Sequence, residues 1–183
     1  NILHSRMIPN LMLYGPPGTG KTTAILNLKQ KLYNYSECRE LTIHFNASDD
    51  RGIDVVRTQI SRFVKSNTIF YKGCKLVILD EVDYMTKTAQ HALKYIIQDF
   101  HKNVRFCLIC NYISKIDVML KNEFFCMRFH HLPKQKIKHY LENIVQNEKL
   151  LMNENNLQNI LDYYDSDMRS MINCLQTHQY NDS

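Results

Sequence analysis

Hydrophobic positions along the chain fall into two rhythms. Five short, nearly continuous apolar runs rich in β-branched or aromatic residues recur: LMLY from residue 11, LTIHFN from 41, KLVILD from 75, VRFCLIC from 104 and CMRFH from 126. Runs of this length without polar alternation are what strands buried on both faces show. Between them the apolar residues fall at helical spacing: Ile25, Leu28 and Leu32; then Ile53, Val56, Ile60, Phe63 and Val64; then Ala89, Ala92, Leu93, Ile96, Ile97 and Phe100. Alternating strands and amphipathic helices predict an α/β fold, with a five-stranded parallel sheet covered by helices on both faces.

After Leu132 and Pro133 the strand rhythm stops. Ile137, Tyr140, Leu141, Ile144 and Val145 form one helical stripe, Leu157, Ile160, Leu161 and Tyr164 a second, and Met168, Met171, Ile172 and Leu175 a third. Three short amphipathic helices must bury their faces against one another or against the sheet. The expected division is a sheet-containing core over 1–133 and a small three-helix subdomain over 134–183. The ends of the sequence read as cuts through a longer chain.

Composition narrows the class without naming a function. The 183 residues are 44% hydrophobic and 22% charged, ordinary for a globular protein. No apolar run approaches the roughly 20 residues of a membrane span, and the first residues lack a signal-peptide pattern, so a soluble intracellular protein is expected. The net charge of +5 is compatible with a polyanionic partner. Cys107 and Cys110 have a CxxC spacing, but they lie inside an apolar strand run with no second pair, and buried reduced thiols are the expectation.

Chemistry concentrates at the ends of the predicted strands. Residues 14–23 read YGPPGTGKTT, with Gly15, Gly20, Lys21 and Thr22 in the register of a phosphate loop, between a strand and a helix. Backbone N–H groups of Gly15, Pro16, Pro17, Gly18, Thr19, Gly20, Lys21, Thr22 and Thr23, those that have them, would wrap phosphate oxygens. Lys21 would reach the β- and γ-phosphates, Thr22 would coordinate Mg²⁺, and the following helix would add its positive N-terminus. KLVILDE ends a strand with Asp80, suited to hold Mg²⁺ through its water shell, and Glu81, suited to accept a proton from an attacking water. Asn111 ends the next strand, where an amide either orients that water or forms a turn. Arg169 opens the last helix off its apolar stripe, either reaching the γ-phosphate or pointing into solvent.

GPPGTGKT, FNASDDRGIDVVR, IFYKGCKLVILDEVDYMT, NVRFCLICNYISKI and SDMRSMINCLQ, in this order, resemble the small subunits of the clamp loader, replication factor C. The resemblance implies an AAA+ P-loop NTPase core followed by a helical lid, with Asn111 as sensor 1 and Arg169 as sensor 2. It implies ATP and Mg²⁺, a heteropentamer with other clamp-loader subunits, a ring-shaped sliding clamp, primer-template DNA held through its phosphates, and a nuclear location. Arg57, Arg62 and Lys65, off the apolar face of their helix, and Arg51 just before it become DNA-contact candidates, sequence-independent and salt-sensitive.

Against that family the chain departs in one place that bears on chemistry. The small subunits carry Ser-Arg-Cys after sensor 1, and that arginine enters the neighbour's ATP site; aligned on CMRFHHLP, this chain has Asn122, Glu123 and Phe124. The expectation is that this trans-acting arginine is absent, Arg128 and Lys121 being the nearby cations. Ser166 stands where the family has Gly, a mild change because Ser caps helices well. Three functions remain in view: an ATPase subunit of the loader, an ATP-binding assembly subunit with little turnover, and a small-molecule kinase on the same loop. The last is disfavoured by Glu81 directly after Asp80.

Overall fold

The apolar runs become five strands: β1 (Leu11–Tyr14), β2 (Thr42–Asn46), β3 (Lys75–Asp80), β4 (Val104–Cys110) and β5 (Phe125–Arg128). They pair in the order β2-β3-β4-β1-β5, every pairing parallel. β1 lies between β4 and β5, with Met12 opposite both Leu108 and Cys126. The computed structural model describes residues 8–48, 53–66, 73–150 and 152–181.

Helices follow from the second rhythm and from local caps. In chain order they are α1 (Lys21–Leu32), α2 (Tyr35–Leu41), α3 (Ile53–Lys65), α4 (Lys87–Phe100), α5 (Val118–Lys121), α6 (Lys134–Asn147), α7 (Glu154–Tyr164) and α8 (Met168–Asn181). α4 begins where the Thr86 hydroxyl accepts the Ala89 N–H at 3.3 Å. α2 has no apolar stripe to announce it and is made by its cap: Asn34 accepts the Glu37 N–H at 2.9 Å, and Glu37 accepts the Asn34 N–H at 3.1 Å. The run expected as a strand from residue 41 therefore starts one residue later, because Leu41 closes this helix and is fully buried there.

Two units divide the chain. The first takes the chain to Gly15 together with Lys21–Arg128. Leu76, Val77, Ile78 and Leu79 of β3 are all at 0% exposure, as a strand covered on both faces requires. Val77 and Leu79 join Met12, Phe106 and Leu108 in a core with Ile60 and Val64 of α3 and Leu93 and Ile97 of α4. At the sheet's other end the Lys75 ammonium donates to the carbonyls of Phe63 and Ser66 and to the Ser66 hydroxyl, capping the C-terminus of α3. Burial lowers the pKa of Lys75 from its usual 10.5.

The second unit holds Pro16–Gly20 and the chain from Phe129. Ile137, Leu141, Leu157, Ile160, Leu161, Met171 and Leu175 make its core, where the three helical stripes meet. Tyr140, expected on the α6 stripe, is 50% exposed at the margin of that face. Among the described residues no helix is long and apolar enough to cross a membrane.

Candidate functional site

Glycine at two loop positions is dictated by backbone and by space. Gly18 has φ +72°, and a Cβ there would stand 2.3 Å from Asp167 Oδ1 within the same unit. Gly20 has φ +83°, a conformation that costs an L-residue roughly 1–2 kcal/mol. The Thr19 hydroxyl donates to the Pro16 carbonyl at 2.8 Å and closes the turn. Pro17 and Gly20 are exposed, Pro16 and Gly18 half-buried, and Thr23 is exposed on α1.

Lys21 opens α1 and is only 7% exposed. Its ammonium donates to the Gly15 carbonyl at 2.8 Å and to Asn111 Oδ1 at 2.9 Å. One residue on, the Thr22 hydroxyl donates to Asp80 Oδ2 at 2.8 Å. The first contact ties α1 to the end of β4, the second to the end of β3. Lys21, Thr22, Asp80 and Asn111 thus meet at the carboxyl ends of parallel strands, where an open α/β sheet keeps its ligand crevice.

Asp80 also accepts the Glu81 N–H through Oδ1 at 2.9 Å. Glu81 itself sits at φ 57°, ψ 37°, left-handed backbone that a non-glycine residue adopts at a cost on the order of 1–3 kcal/mol. That bend stops β3 and starts a single 3-10 turn, Val82–Tyr84. Within the turn Asp83 is buried at 6% exposure, its Oδ1 accepting the Asn111 N–H and its Oδ2 the Tyr112 N–H, both at 3.4 Å. Sequence reasoning passed over Asp83; the signal was a further acid two residues after Glu81. It also passed over Gln90, 1% exposed, which donates to the carbonyls of Met85 and Lys115 and accepts the Asp117 N–H at 2.7 Å.

The two strand cysteines are buried free thiols. Burial first, and the Asp80 charge second, push Cys107 up to about 12. Cys110 is pushed to about 12 by burial, then by the Asp83 charge, with Lys21 opposing. Both stay protonated and unreactive near neutrality.

Arg169 lies in the second unit, exposed on α8, its N–H donating to Asp167 Oδ1 at 3.1 Å. Burial alone would raise the Asp167 carboxyl, but the Ser170 hydroxyl and amide, with the Arg169 amide, hold it below the usual 3.8. Of the other basic residues, Arg62 and Lys65 are exposed in the last turn of α3 and Arg57 falls within that helix. Arg51 lies outside the described residues.

The segment Asn122–Phe124 forms a tight exit from α5. Glu123 and Phe124 donate their N–H groups to the carbonyls of Leu120 and Lys121, and Phe125 donates to Asn10 as β5 begins. The Glu123 carboxylate accepts from Gln98 Nε2 of α4 at 2.7 Å. Arg128 is exposed at the far end of β5, opposite Tyr14.

Residues 11–131 match the family described as "ATPase family associated with various cellular activities (AAA)". The chain belongs to this AAA family. It is 46% identical over 170 residues to replication factor C subunit 5 of Homo sapiens, across 93% of this chain and 50% of that protein. It is 44% identical over 172 residues to replication factor C subunit 3 of Saccharomyces cerevisiae, again 93% and 50%. An archaeal relative, replication factor C small subunit 2 of Pyrobaculum islandicum, is 42% identical over 169 residues, 92% of this chain and 52% of that one. The chain spans about half the length of the curated relatives it matches. Two solved structures share the fold at 16% identity: the Aeropyrum pernix ORC1 protein in complex with DNA (TM-score 0.75; 96% of this chain, 55% of that one) and Thermotoga maritima RuvB (TM-score 0.70; 96% and 56%). The five-stranded parallel sheet expected from the apolar runs, and the AAA core implied by the resemblance, are therefore the observed ones.

Proposed function

We propose that the chain is the ATP-binding and hydrolysing part of a clamp-loader small subunit, turning over ATP within an assembled heteropentamer. One observation carries this reading. Lys21, opening a helix after a glycine loop, is held between Gly15 and Asn111 while its neighbour Thr22 touches Asp80. That arrangement would suit a cation at the phosphates, a hydroxyl–carboxylate pair at a divalent metal, and an amide near the reacting end.

The residues fit Mg²⁺. Thr22 Oγ1 and Asp80 Oδ2, two hard oxygens 2.8 Å apart and both half-buried, are the donor types such an ion takes, directly or through its waters. When bound, the ion supplies neutralisation of phosphate charge. The chain's own residues do the rest. Lys21 balances charge on the β- and γ-phosphate oxygens, and Glu81 takes the proton from the attacking water. Asn111 would orient that water, Arg169 is the candidate for a second cation, and Asp80 would hold the ion.

By its likeness to replication factor C subunits, the chain would work with other loader subunits to open a sliding clamp and close it on primer-template DNA, in the nucleus. Arg51, Arg57, Arg62 and Lys65 would contact DNA phosphates. The absence of the trans arginine at Asn122-Glu123-Phe124 means that the neighbour it faces would hydrolyse ATP slowly, because a carboxylate opposes the charge an arginine would stabilise. A second reading is an assembly subunit whose own site binds ATP with little turnover, and Glu81 is the residue that separates the two.

Steady-state hydrolysis separates the two. The full-length protein, reconstituted with its loader partners, clamp and primed DNA, should turn over ATP at a clamp-stimulated rate that falls by on the order of 100-fold or more at this site with Glu81→Gln, while ATP stays bound. An unchanged rate, in assemblies whose other phosphate loops are inactivated, would favour the assembly reading.

A further inference from the structure

The end of β3 and the end of β4 carry the two groups that must agree in position for water-driven hydrolysis, Glu81 and Asn111. They are joined by a buried carboxylate that the mechanism does not otherwise use. Asp83 lies two residues past Glu81, inside the 3-10 turn that the left-handed backbone at Glu81 initiates. Its two oxygens bracket consecutive amides, Asn111 and Tyr112, at 3.4 Å each, and it is 6% exposed. A carboxylate this buried is costly unless satisfied, so its acceptors fix the backbone that supplies the donors. The Asn111 side chain is held in turn by Lys21 at 2.9 Å. Fixed at its amide by Asp83 and at its Oδ1 by Lys21, Asn111 has little freedom left.

We propose that Asp83 is a positioning residue for hydrolysis: it locks the Glu81 turn to the Asn111 loop, so that base and water-orienting amide keep one relative placement. This rests on the reading of the site as an ATP-hydrolysing one. Asp83 accepts from the backbone amides of Asn111 and Tyr112 rather than from Lys21 or Thr22, so nucleotide affinity should be nearly independent of it. An asparagine at this position keeps shape but turns an N–H toward one of the two amides, so the bracket opens and Asn111 loses its register.

The test is a double-mutant cycle in the reconstituted full-length assembly, with the other subunits' phosphate-loop lysines replaced so that only this site turns over. Asp83→Asn and Asn111→Ala should each lower kcat about 10-fold, and the pair should also lower it about 10-fold, because both remove one device. Affinity of the Asp83→Asn variant for a fluorescent ATP analogue should stay within about 2-fold of wild type. Multiplicative loss to about 100-fold, or a kcat for Asp83→Asn equal to wild type, overturns the inference. Glu81→Gln is the control. If wild type and Glu81→Gln turn over at the same rate, the hydrolytic reading itself has failed, a result distinct from an inert Asp83. Asp83→Glu, which keeps both acceptor oxygens on a longer stem, carries the same cycle if the asparagine variant does not fold; it should lower kcat without weakening nucleotide binding.

Discussion

The crevice end of the sheet and the exit from α5 both present polar side chains on short turns, yet they are furnished in opposite ways. At the crevice a nearly buried cation, a hydroxyl paired with a carboxylate, and an amide converge from three strand ends, with a glutamate in left-handed backbone directly after the carboxylate. At the α5 exit the side chain in the place of interest is a glutamate drawn back onto Gln98. On the proposed reading the first region serves the chain's own nucleotide and the second the neighbour's. On that reading the two duties of the subunit would be built on separate pieces of chain, so that one could be lost while the other is kept.

The largest effect should come from Lys21→Ala. Removing a charge-assisted contact to phosphate should weaken ATP binding on the order of 100-fold or more, measured by equilibrium titration of the full-length protein. Tight binding by that variant would break the first half of the comparison. A smaller effect is expected from Glu123→Arg, which releases the Gln98 tether and puts a cation at the α5 exit. It should raise the neighbouring site's hydrolysis about 10-fold, short of what a native arginine finger contributes because the turn was not built to aim one. No acceleration, with the variant correctly assembled, would mean that this turn does not face a neighbour's nucleotide.

The mildest test concerns acid. Asp117 caps α5, and the Met119 amide, ahead of the opposing effect of burial and of help from Leu120 and His91, holds its carboxyl below the ordinary 3.8. A carboxyl depressed on folding adds stability that is fully present above its unfolded value and is lost as pH falls through the folded one. The melting temperature of Asp117→Asn should therefore lie below wild type at neutral pH and converge with it below about pH 4. A constant gap down to strong acid would detach the cap from the stability of this turn.

How much of this was legible beforehand depends on the kind of signal. β3 and β4 are readable because a strand buried on both faces is a nearly continuous apolar run, here leading into Asp80 and Asn111. The pairing of Thr22 with Asp80 and of Lys21 with Asn111 follows from strand ends converging, although no spacing in the sequence encodes it. α2 is invisible to periodicity, since its seven residues carry no stripe, and only the Asn34–Glu37 cap foretells it. Asp83 and Gln90 are hidden for a different reason. They act on backbone groups brought in from Asn111 to Asp117, and such partners exist only once the sheet has formed.

The strand order has a consequence for how the chain comes off the ribosome. Of the five described strands β1 is made before the others, but its partners are Cys107–Cys110 on one side and Phe125–Arg128 on the other. The strand that leads into the glycine loop must wait, unpaired, through the synthesis of most of the sheet before either flank is available. Such distant pairing is slow and leaves apolar backbone open to wrong partners in the interval. A nascent chain that stalls before residue 104 holds every residue of its phosphate loop and nothing to seat it on.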